Sequence, residues 1–360
     1  MSEEKKCPQI GRPWELCSLL GHKTEYVYGI ANETHKYYQH SRIPKKRGGF
    51  RELYEPLPEL KKMQTWILHH ILDLLEPSPY AKAYRKGYSV KDNAKFHRRQ
   101  KKVLSLDIEG FFDHIRRYSV FRVFLDAGYK KDVAMLLAAL CCRNGCLPQG
   151  APTSAALSNL VMLGFDAKVG AFCRERGIRY TRYADDMTFS GDFEETEVIR
   201  FVKEECGKLS MKLNREKTRV RKQGQQQEVT GIVVNEKTQL PESERKKIRQ
   251  EMYYIRRYGL ESHLRHLQEG LASGKSHLRH LREGLASGKN HLQEASGNGK
   301  ESCLRETGTS RDLSKERYLS QLLGRISYAL FINPRDEAMR EYKAIVTEMI
   351  KAEGSGRAES

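Results

Sequence analysis

The sequence predicts an α+β protein, because strand patterns and helix patterns alternate along it. Two runs rich in Tyr, Thr, Phe and Met flank a tight turn between residues 179 and 191, which predicts a β-hairpin. Residues 103 to 108 have the pattern of a buried strand, and residues 60 to 75 repeat apolar side chains with the spacing of a helix. Both helices and strands are therefore expected.

The composition indicates a polar and strongly basic protein. Its 360 residues include 64 Lys and Arg against 46 Asp and Glu, a net charge of +18 that is expected of a protein that neutralises phosphates. Attraction to a membrane surface is the weaker alternative. No apolar run is long enough to span a bilayer, and no apolar core follows residues 1 to 6, so we expect a cytoplasmic protein without a signal peptide.

The eight cysteines show no spacing typical of a zinc or redox site. They lie at positions 7, 17, 141, 142, 146, 173, 206 and 303, and no two have the C-x-x-C spacing. We expect them to be reduced residues that serve mainly in packing.

The N-terminal part is predicted to be helical up to about residue 40 and then to form a basic hairpin. Residues 43 to 56 place two glycines between cations and a strand-like run, so their basic side chains are suited to lie over a triphosphate. A solvated basic loop is the alternative. A helix is predicted over residues 60 to 75, with the buried stripe Leu60, Met63, Ile67, Leu68, Ile71 and Leu74.

Residues 82 to 102 combine positive charge with aromatic rings. The segment contains nine basic residues and one acid, Asp92. Three aromatic residues are interleaved with the basic ones: Tyr84, Tyr88 and Phe96. Rings of this kind stack on bases or sugars, which predicts contact with nucleic acid. A solvated charged face is the alternative.

Acidic residues at two strand ends predict a metal site. Asp185 and Asp186 are adjacent at the tip of the predicted hairpin, where two carboxylates repel each other unless a cation holds them together. Asp107 ends the predicted strand at 103 to 108, and the bend after it allows the backbone carbonyl of Ile108 to join a ligand set. Mg²⁺ is the ion that prefers such oxygen ligands. A solvated hairpin turn, with no metal, is the alternative.

The loop at residues 147 to 154 is predicted to be irregular and closely approached. Two prolines and a glycine prevent a helix up to Pro152, and small residues after them allow another backbone or a base pair to come near.

Taken in order, these segments resemble the palm motifs of reverse transcriptases. The motifs are Asp107 with Phe111-Phe112, the Leu147-Pro148-Gln149-Gly150 loop and Tyr183-Ala184-Asp185-Asp186, and the resemblance extends to residues 43 to 56 and 213 to 218. Two further signatures resemble the retron branch, namely Asn93-Ala94-Lys95-Phe96-His97 and Val229-Thr230-Gly231. Residues 323 to 334 are similar to the thumb of retron and group II intron enzymes.

The resemblance implies a right-hand polymerase with fingers, a palm of antiparallel sheet plus helices, and a mostly helical thumb. Residues 1–102 would form the N-terminal helices and fingers, and residues 103–240 the palm, with part of the fingers at about 118–150. The thumb would occupy residues 241–353, interrupted by an insertion at about 261–312, and residues 354–360 would be a disordered tail.

The resemblance also implies roles for single residues. Asp107, Asp185 and Asp186 would be catalytic and would hold two Mg²⁺ ions with the Ile108 carbonyl, Mn²⁺ being the alternative ion. The nucleotide site would contain Arg51 on the phosphates, Phe112 under the sugar, Gln149 along its lining and Lys217 at the leaving pyrophosphate. RNA would be bound by Asn93, Lys95, His97, Arg98, Arg99, Val229, Thr230 and Gly231, although Asn93 capping a turn and Val229 lying in a strand are the alternatives.

The function implied is that of a retron reverse transcriptase. Such an enzyme copies part of a cognate structured non-coding RNA, its template and primer, from dNTPs into single-stranded DNA. Priming from an internal 2′-hydroxyl gives branched RNA-linked DNA. A separate effector protein would act with the enzyme against phage. No membrane is expected among its partners. The alternatives are a group II intron-like or other bacterial reverse transcriptase, and a non-catalytic RNA-binding scaffold of a defence complex.

A tandem repeat of 14 residues departs from the family pattern. The segment from His263 recurs from His277, and a degenerate third copy begins at His291. Leucines spaced by three and four residues favour a helix, whereas the repeated glycines oppose one. We expect an expanded repeat tolerated in a surface loop, with a dedicated RNA or protein contact as the alternative and the thumb resuming near Leu313.

Overall fold

The computed structural model describes residues 7–45, 48–272 and 315–355, and it confirms the predicted α+β class. The chain divides into two units. The first comprises Met1–Asn93 and Gln100–Gln225, and the second comprises Ala94–Arg99 and Gln226–Ser360.

The first unit begins with helices and an antiparallel hairpin. Helices α1 (Pro13–Leu19) and α2 (Thr24–Asn32) are followed by strands β1 (Tyr38–Pro44) and β2 (Phe50–Pro56). The predicted helix up to about residue 40 is therefore too long, because residues from Tyr38 pair in register with β2 instead.

A four-stranded antiparallel sheet forms the second part of this unit. Its strands are β3 (Lys102–Asp107), β4 (Arg179–Tyr183), β5 (Asp186–Gly191) and β6 (Arg219–Lys222), in the spatial order β4-β5-β3-β6. The predicted hairpin is formed by β4 and β5. The start of β5 lies beside the end of β3.

Helices pack around this sheet in one continuous apolar core. The predicted stripe is confirmed at Leu60, Met63, Ile67 and Ile71, which are fully or almost fully buried. Besides α1 and α2, the unit contains the helices α3 (Pro58–His70), α4 (Val90–Phe96, which continues into the second unit), α5 (Phe111–His114), α6 (Arg117–Asp126), α7 (Lys131–Cys141), α8 (Ser154–Val161), α9 (Leu163–Glu175) and α10 (Glu195–Lys208).

The second unit joins a short hairpin to long helices. Strands β7 (Glu228–Val229) and β8 (Ile232–Val233) form the hairpin. The helices are α11 (Glu242–Tyr258), α12 (Leu260–Ala272), α13 (Lys315–Ile332) and α14 (Glu337–Ser355).

The start of the repeat is part of this helical unit, so the predicted surface loop is wrong there. Within α12, His263, Leu264 and Leu267 are buried, and the three-residue leucine spacing puts both leucines on one face. The remaining copies, and the predicted insertion after residue 272, lie outside the described residues. Helix α14 extends to Ser355, so the chain is helical past the predicted start of the tail at residue 354.

The structure can be compared with two further expectations, which concern the cysteines and membrane-spanning helices. The described cysteines are free thiols, most of them buried, and Cys303 lies outside the described residues. In the parts of the chain that are described, no single helix is long and apolar enough to cross a membrane; only α8 and α9, taken together across a 50° bend, meet that requirement.

Candidate active site

The register of the central strands brings three carboxylates together. Asp107 ends β3 and stands opposite Asp186, which begins β5, while Ala184 and Asp185 form the two-residue turn before it. One carboxylate oxygen from each of Asp107, Asp185 and Asp186 lies within 4.8 Å of the others. The backbone amide of Ile108 donates to the carbonyl of Asp185 at 3.1 Å, which ties the turn to the end of β3.

Crowding of these acids changes their protonation. Partial burial, followed by the charge of Asp107, raises the pKa of Asp185 above its usual value. The pKa of Asp186 rises to about 7, because its carboxyl is partly desolvated and faces the charges of Asp185 and Asp107. Three acids held this close favour a bound proton or a bound cation over full ionisation.

The oxygen atoms of the cluster suit a hard divalent cation. Oδ2 of Asp107 accepts a hydrogen bond from Nζ of Lys217 at 2.8 Å. Oδ1 of the same residue is buried and, among the described residues, has no hydrogen-bond partner, which is costly unless a ligand completes it. Carboxylate oxygens in this number are the ligands that Mg²⁺ or Mn²⁺ prefers.

A short segment just before β6 holds Lys217 in place. Asn214 donates its backbone amide to the carbonyl of Asp107 at 2.8 Å and caps the 3₁₀ turn Arg215–Lys217 with its side chain. Burial acts to lower the pKa of Lys217, but the hydrogen bond to Asp107 and the nearby acids raise it overall. Lys217 is thus a protonated neighbour of the acids, with about half of its side chain exposed.

The carbonyl of Ile108 remains a candidate ligand. Ile108 forms an antiparallel bridge with Leu213, and the flanking hydrogen bonds use the carbonyl of Asp107 and the amide of Glu109. The bridge therefore does not engage the Ile108 carbonyl, whose role as a ligand stays a prediction.

The predicted nucleotide-site residues come from three further segments. Arg51, on β2, is near enough for its positive charge to lower the pKa of Asp185. Gln149 is held by its backbone, since its carbonyl accepts a hydrogen bond from the amide of Tyr54 at 2.8 Å. Phe112 is half-buried in α5, beside the ring of Phe111 at 5.5 Å. Of these three residues, Arg51 has an electrostatic interaction with the acids. The roles of Gln149 and Phe112 stay predictions.

The predicted RNA-binding residues around α4 differ in exposure. Asn93 and His97 are fully buried, whereas Lys95 and Arg99 are exposed and Arg98 is half-buried. Asn93 is inside the helix and accepts a hydrogen bond from Oγ1 of Thr181 at 2.6 Å, so it does not cap a turn. The RNA contacts themselves stay predictions.

Val229, Thr230 and Gly231 build the β7–β8 hairpin. Val229 is buried in β7, and the two residues of the turn have φ of +48° at Thr230 and +78° at Gly231. Positive φ at both central positions is the signature of a type I′ hairpin turn, for which glycine is favoured. The signature therefore has a backbone requirement independent of any RNA contact.

Sequence reasoning did not single out a buried ion pair that contacts the acidic turn. Arg182 on β4 and Asp166 on α9 are both inaccessible to solvent, and Nη2 of the arginine lies 2.7 Å from Oδ2 of the aspartate. The local signal was weak, because β4 has a second arginine, Arg179, and α9 contains further charged residues besides Asp166. Because 16 residues separate the partners, the pairing itself could not be derived from local patterns.

Comparisons with known proteins agree on one family. The sequence profile described as "Reverse transcriptase (RNA-dependent DNA polymerase)" matches residues 43–234. The retron Ec86 reverse transcriptase of Escherichia coli is 33% identical over 244 residues, 67% of this chain and 74% of that protein. The retron Mx65 reverse transcriptase of Myxococcus xanthus is 35% identical over 278 residues, 70% of this chain and 64% of that protein.

A weaker likeness is to a solved telomerase. The structure of telomerase from Candida albicans, in complex with a fragment of telomeric RNA, has a TM-score of 0.44 and 11% identity, and the match covers 86% of this chain and 66% of that one. A likeness this low does not by itself establish a common fold.

Proposed function

This chain belongs to the reverse transcriptase family and is of the retron type, and from that premise we propose that it copies part of its own structured non-coding RNA into DNA. It is an RNA-directed DNA polymerase with the α+β right-hand polymerase fold of that family. The observation that carries the proposal is the cluster of Asp107, Asp185 and Asp186, whose oxygens converge within 4.8 Å.

The acids would hold the catalytic metal, for which Mg²⁺ is the proposed ion and Mn²⁺ the alternative. The unpartnered Oδ1 of Asp107 and the raised pKa values of Asp185 and Asp186 support a cation at this place. When bound, two such ions supply activation of the primer hydroxyl and neutralisation of the triphosphate. The carbonyl of Ile108 is proposed to complete the ligand set.

The remaining residues would bind and orient the nucleotide. Arg51, whose charge already acts on Asp185, is proposed to attract the triphosphate, and Gln149 to line the site. The ring of Phe112 would stand where a 2′-hydroxyl projects and would select deoxynucleotides by sterics. Lys217, protonated beside Asp107, is proposed to hold the leaving pyrophosphate or to donate a proton to it.

The retron-specific part of the proposal concerns the RNA and its context. We propose priming from an internal 2′-hydroxyl to give branched RNA-linked DNA, in the cytoplasm, as part of a defence system with a separate effector protein. The retron relatives and the two signature segments support it. The RNA would contact Lys95, Arg98, Arg99 and the turn at residues 230 to 231 directly, while the buried side chains of Asn93, His97 and Val229 would hold these segments in place.

We also propose the division into fingers (1–102), palm (103–240) and thumb (241–353). The antiparallel sheet that carries the acids supports the palm, and α11 to α14 support a helical thumb. A different bacterial reverse transcriptase, or a non-catalytic RNA-binding scaffold, is the competing function. The acidic cluster favours catalysis over the scaffold.

The replacement Asp185→Asn tests the proposed function. Loss of one anionic ligand is expected to abolish primer extension on an RNA template with Mg²⁺, because metal affinity depends on the carboxylate, while RNA binding stays nearly intact. Asp192→Asn is the matched control, since this exposed acid pairs with Lys101 on the surface and is outside the cluster. DNA synthesis at the wild-type rate by the Asp185→Asn protein would remove the proposed mechanism.

A further inference from the structure

The acidic turn is joined to a buried polar network behind it. Arg182 is fully buried on β4 and binds Asp166 of α9 in a bidentate manner, with Nε to Oδ1 at 2.9 Å and Nη2 to Oδ2 at 2.7 Å. The hydroxyl of Tyr180 donates to Oδ1 of Asp166 at 2.8 Å. The carboxylate thereby accepts three hydrogen bonds, and the guanidinium is fixed in direction.

The third nitrogen of this guanidinium reaches the turn itself. Nη1 of Arg182 donates to the carbonyl of Ala184 at 3.1 Å and to Oδ1 of Asn159 at 3.2 Å. Asn159, on α8, in turn donates its Nδ2 to the carbonyl of Ala83 at 2.9 Å. Ala184 immediately precedes Asp185, so the network ends on the peptide that leads into the proposed metal ligands.

The conformation of Ala184 needs such a contact. Its φ is +57°, in the left-handed region, where a residue with a Cβ is disfavoured by about 1–2 kcal/mol relative to the right-handed one. A two-residue hairpin turn with positive φ at its first position normally has glycine there. The chain has alanine, and the hydrogen bond to its carbonyl is a local interaction that favours the required peptide orientation.

Stability alone does not account for the pair. A buried ion pair loses its hydration on folding, and an apolar pair of similar volume is often as stable or more stable. The Arg182 guanidinium binds a carboxylate on one side and a turn carbonyl on the other. It therefore supplies a hydrogen-bond donor in a fixed direction, which an apolar pair cannot do.

We propose that Arg182 is a positioning residue for DNA synthesis, held by Asp166 so that its Nη1 keeps Ala184 in the left-handed conformation that presents Asp185 and Asp186 beside Asp107. The inference rests on the proposed role of those three acids. Arg182 touches neither substrate nor metal in this account, and it acts through the geometry of the turn.

The replacement Arg182→Lys separates the two arms. A lysine retains a charge for Asp166 but is a single point donor, so it cannot serve the aspartate and the Ala184 carbonyl together. We expect a folded protein whose kcat in primer extension falls on the order of 10- to 100-fold, because small displacements of catalytic groups have effects of that size. The KM for dNTP is expected to change little, and the Mg²⁺ concentration for half-maximal rate to rise.

A second substitution gives the decisive readout. Glycine adopts positive φ readily, so Ala184→Gly in the Arg182→Lys protein is expected to restore most of the lost kcat without the hydrogen bond. A purely structural role in the core would not be relieved by a change in the turn. Arg176→Lys is the matched control, since this exposed arginine pairs with Glu197 on the surface, and its kcat is expected to stay at the wild-type value.

Two results would overturn the inference: a wild-type kcat for Arg182→Lys, or a folded double variant that stays as slow as the single one. Thermal denaturation and binding of the RNA template establish folding. If Arg182→Lys does not fold, the variant Asp166→Asn, which keeps a hydrogen-bonding partner, takes its place with the same expected rescue by Ala184→Gly. Activity of Asp185→Asn would refute the proposed function instead, so the two failures are distinguishable.

Discussion

At the scale of single residues, the site depends on contacts that cross the chain. The acids were predictable, since Asp107 ends an apolar strand pattern and Asp185 and Asp186 occupy a hairpin turn. The ion pair between Asp107 and Lys217 was not, because 110 residues separate the partners. The bridge between Ile108 and Leu213 and the hydrogen bond from the Asn214 amide to the Asp107 carbonyl bring them together. Long-range electrostatics thus completes a site whose ligands are locally encoded.

The raised pKa of Asp186 predicts a pH-dependent stability in the absence of metal. Its folded-state pKa of about 7 lies above the usual 3.8, so the folded protein binds the proton more tightly and stability falls as pH rises from about 4 to about 7. Thermal denaturation with EDTA at several pH values measures this. Asp186→Asn is expected to flatten the dependence, and an unchanged slope in that variant would contradict the assignment to Asp186.

Phe112 is predicted to set sugar selectivity. Phe112→Ala removes the ring proposed to exclude a 2′-hydroxyl, so discrimination between dNTP and rNTP, measured as a ratio of kcat/KM values, is expected to fall roughly tenfold or more. Phe331→Ala, at an exposed ring on α13, is the control. Unchanged discrimination in Phe112→Ala would show that the selectivity lies elsewhere.

At the scale of elements, the basic hairpin is attached to the loop that contains Gln149. Tyr54 of β2 donates its amide to the Gln149 carbonyl, and the guanidinium of Arg143 lies 3.8 Å from the centre of the Tyr54 ring. The sequence predicted both the hairpin and the loop, and it predicted close approach at the loop. The identity of the approaching strand required the structure, because glycine and proline spacing does not specify a partner.

Gly150→Ala tests this attachment. Gly150 has a φ of +115°, and an added Cβ would lie 3.0 Å from the carbonyl oxygen of Tyr54, so we expect a loss of about 1–3 kcal/mol in stability and a higher KM for dNTP. Gly164→Ala is the matched control, because nothing lies within 4 Å of the added Cβ in that helix. Equal stability and equal KM in the two variants would refute the proposed coupling of hairpin and loop.

The helix periodicity was informative where apolar residues dominate and misleading where composition conflicts with packing. Of the predicted stripe, Leu60, Met63, Ile67 and Ile71 are buried, while Leu68 and Leu74 are half-buried. In α12, the glycine in each repeat argued for a loop, yet Leu264, Leu267 and His263 are buried, with the His263 ring 3.0 Å from the hydroxyl of Tyr318. Tertiary contacts with α13 outweigh the low propensity of the repeat at its first copy.

At the scale of the whole molecule, the net charge of +18 fits a protein whose ligands are an RNA and its DNA copy. The net charge alone indicates only that the protein binds phosphates. The fold determines where the three acids lie. We propose that contacts outside the acidic cluster select the RNA that reaches the site. The retron proposal therefore has to be tested on the nucleic acid rather than on the active site alone.

Sequencing the nucleic acid that copurifies with the protein tests the central claim most directly. We expect single-stranded DNA joined through a 2′ linkage to a structured RNA in the wild-type preparation, and the same RNA without DNA in the Asp185→Asn preparation. Absence of DNA from the wild-type protein, or equal amounts of branched DNA with both proteins, would contradict it.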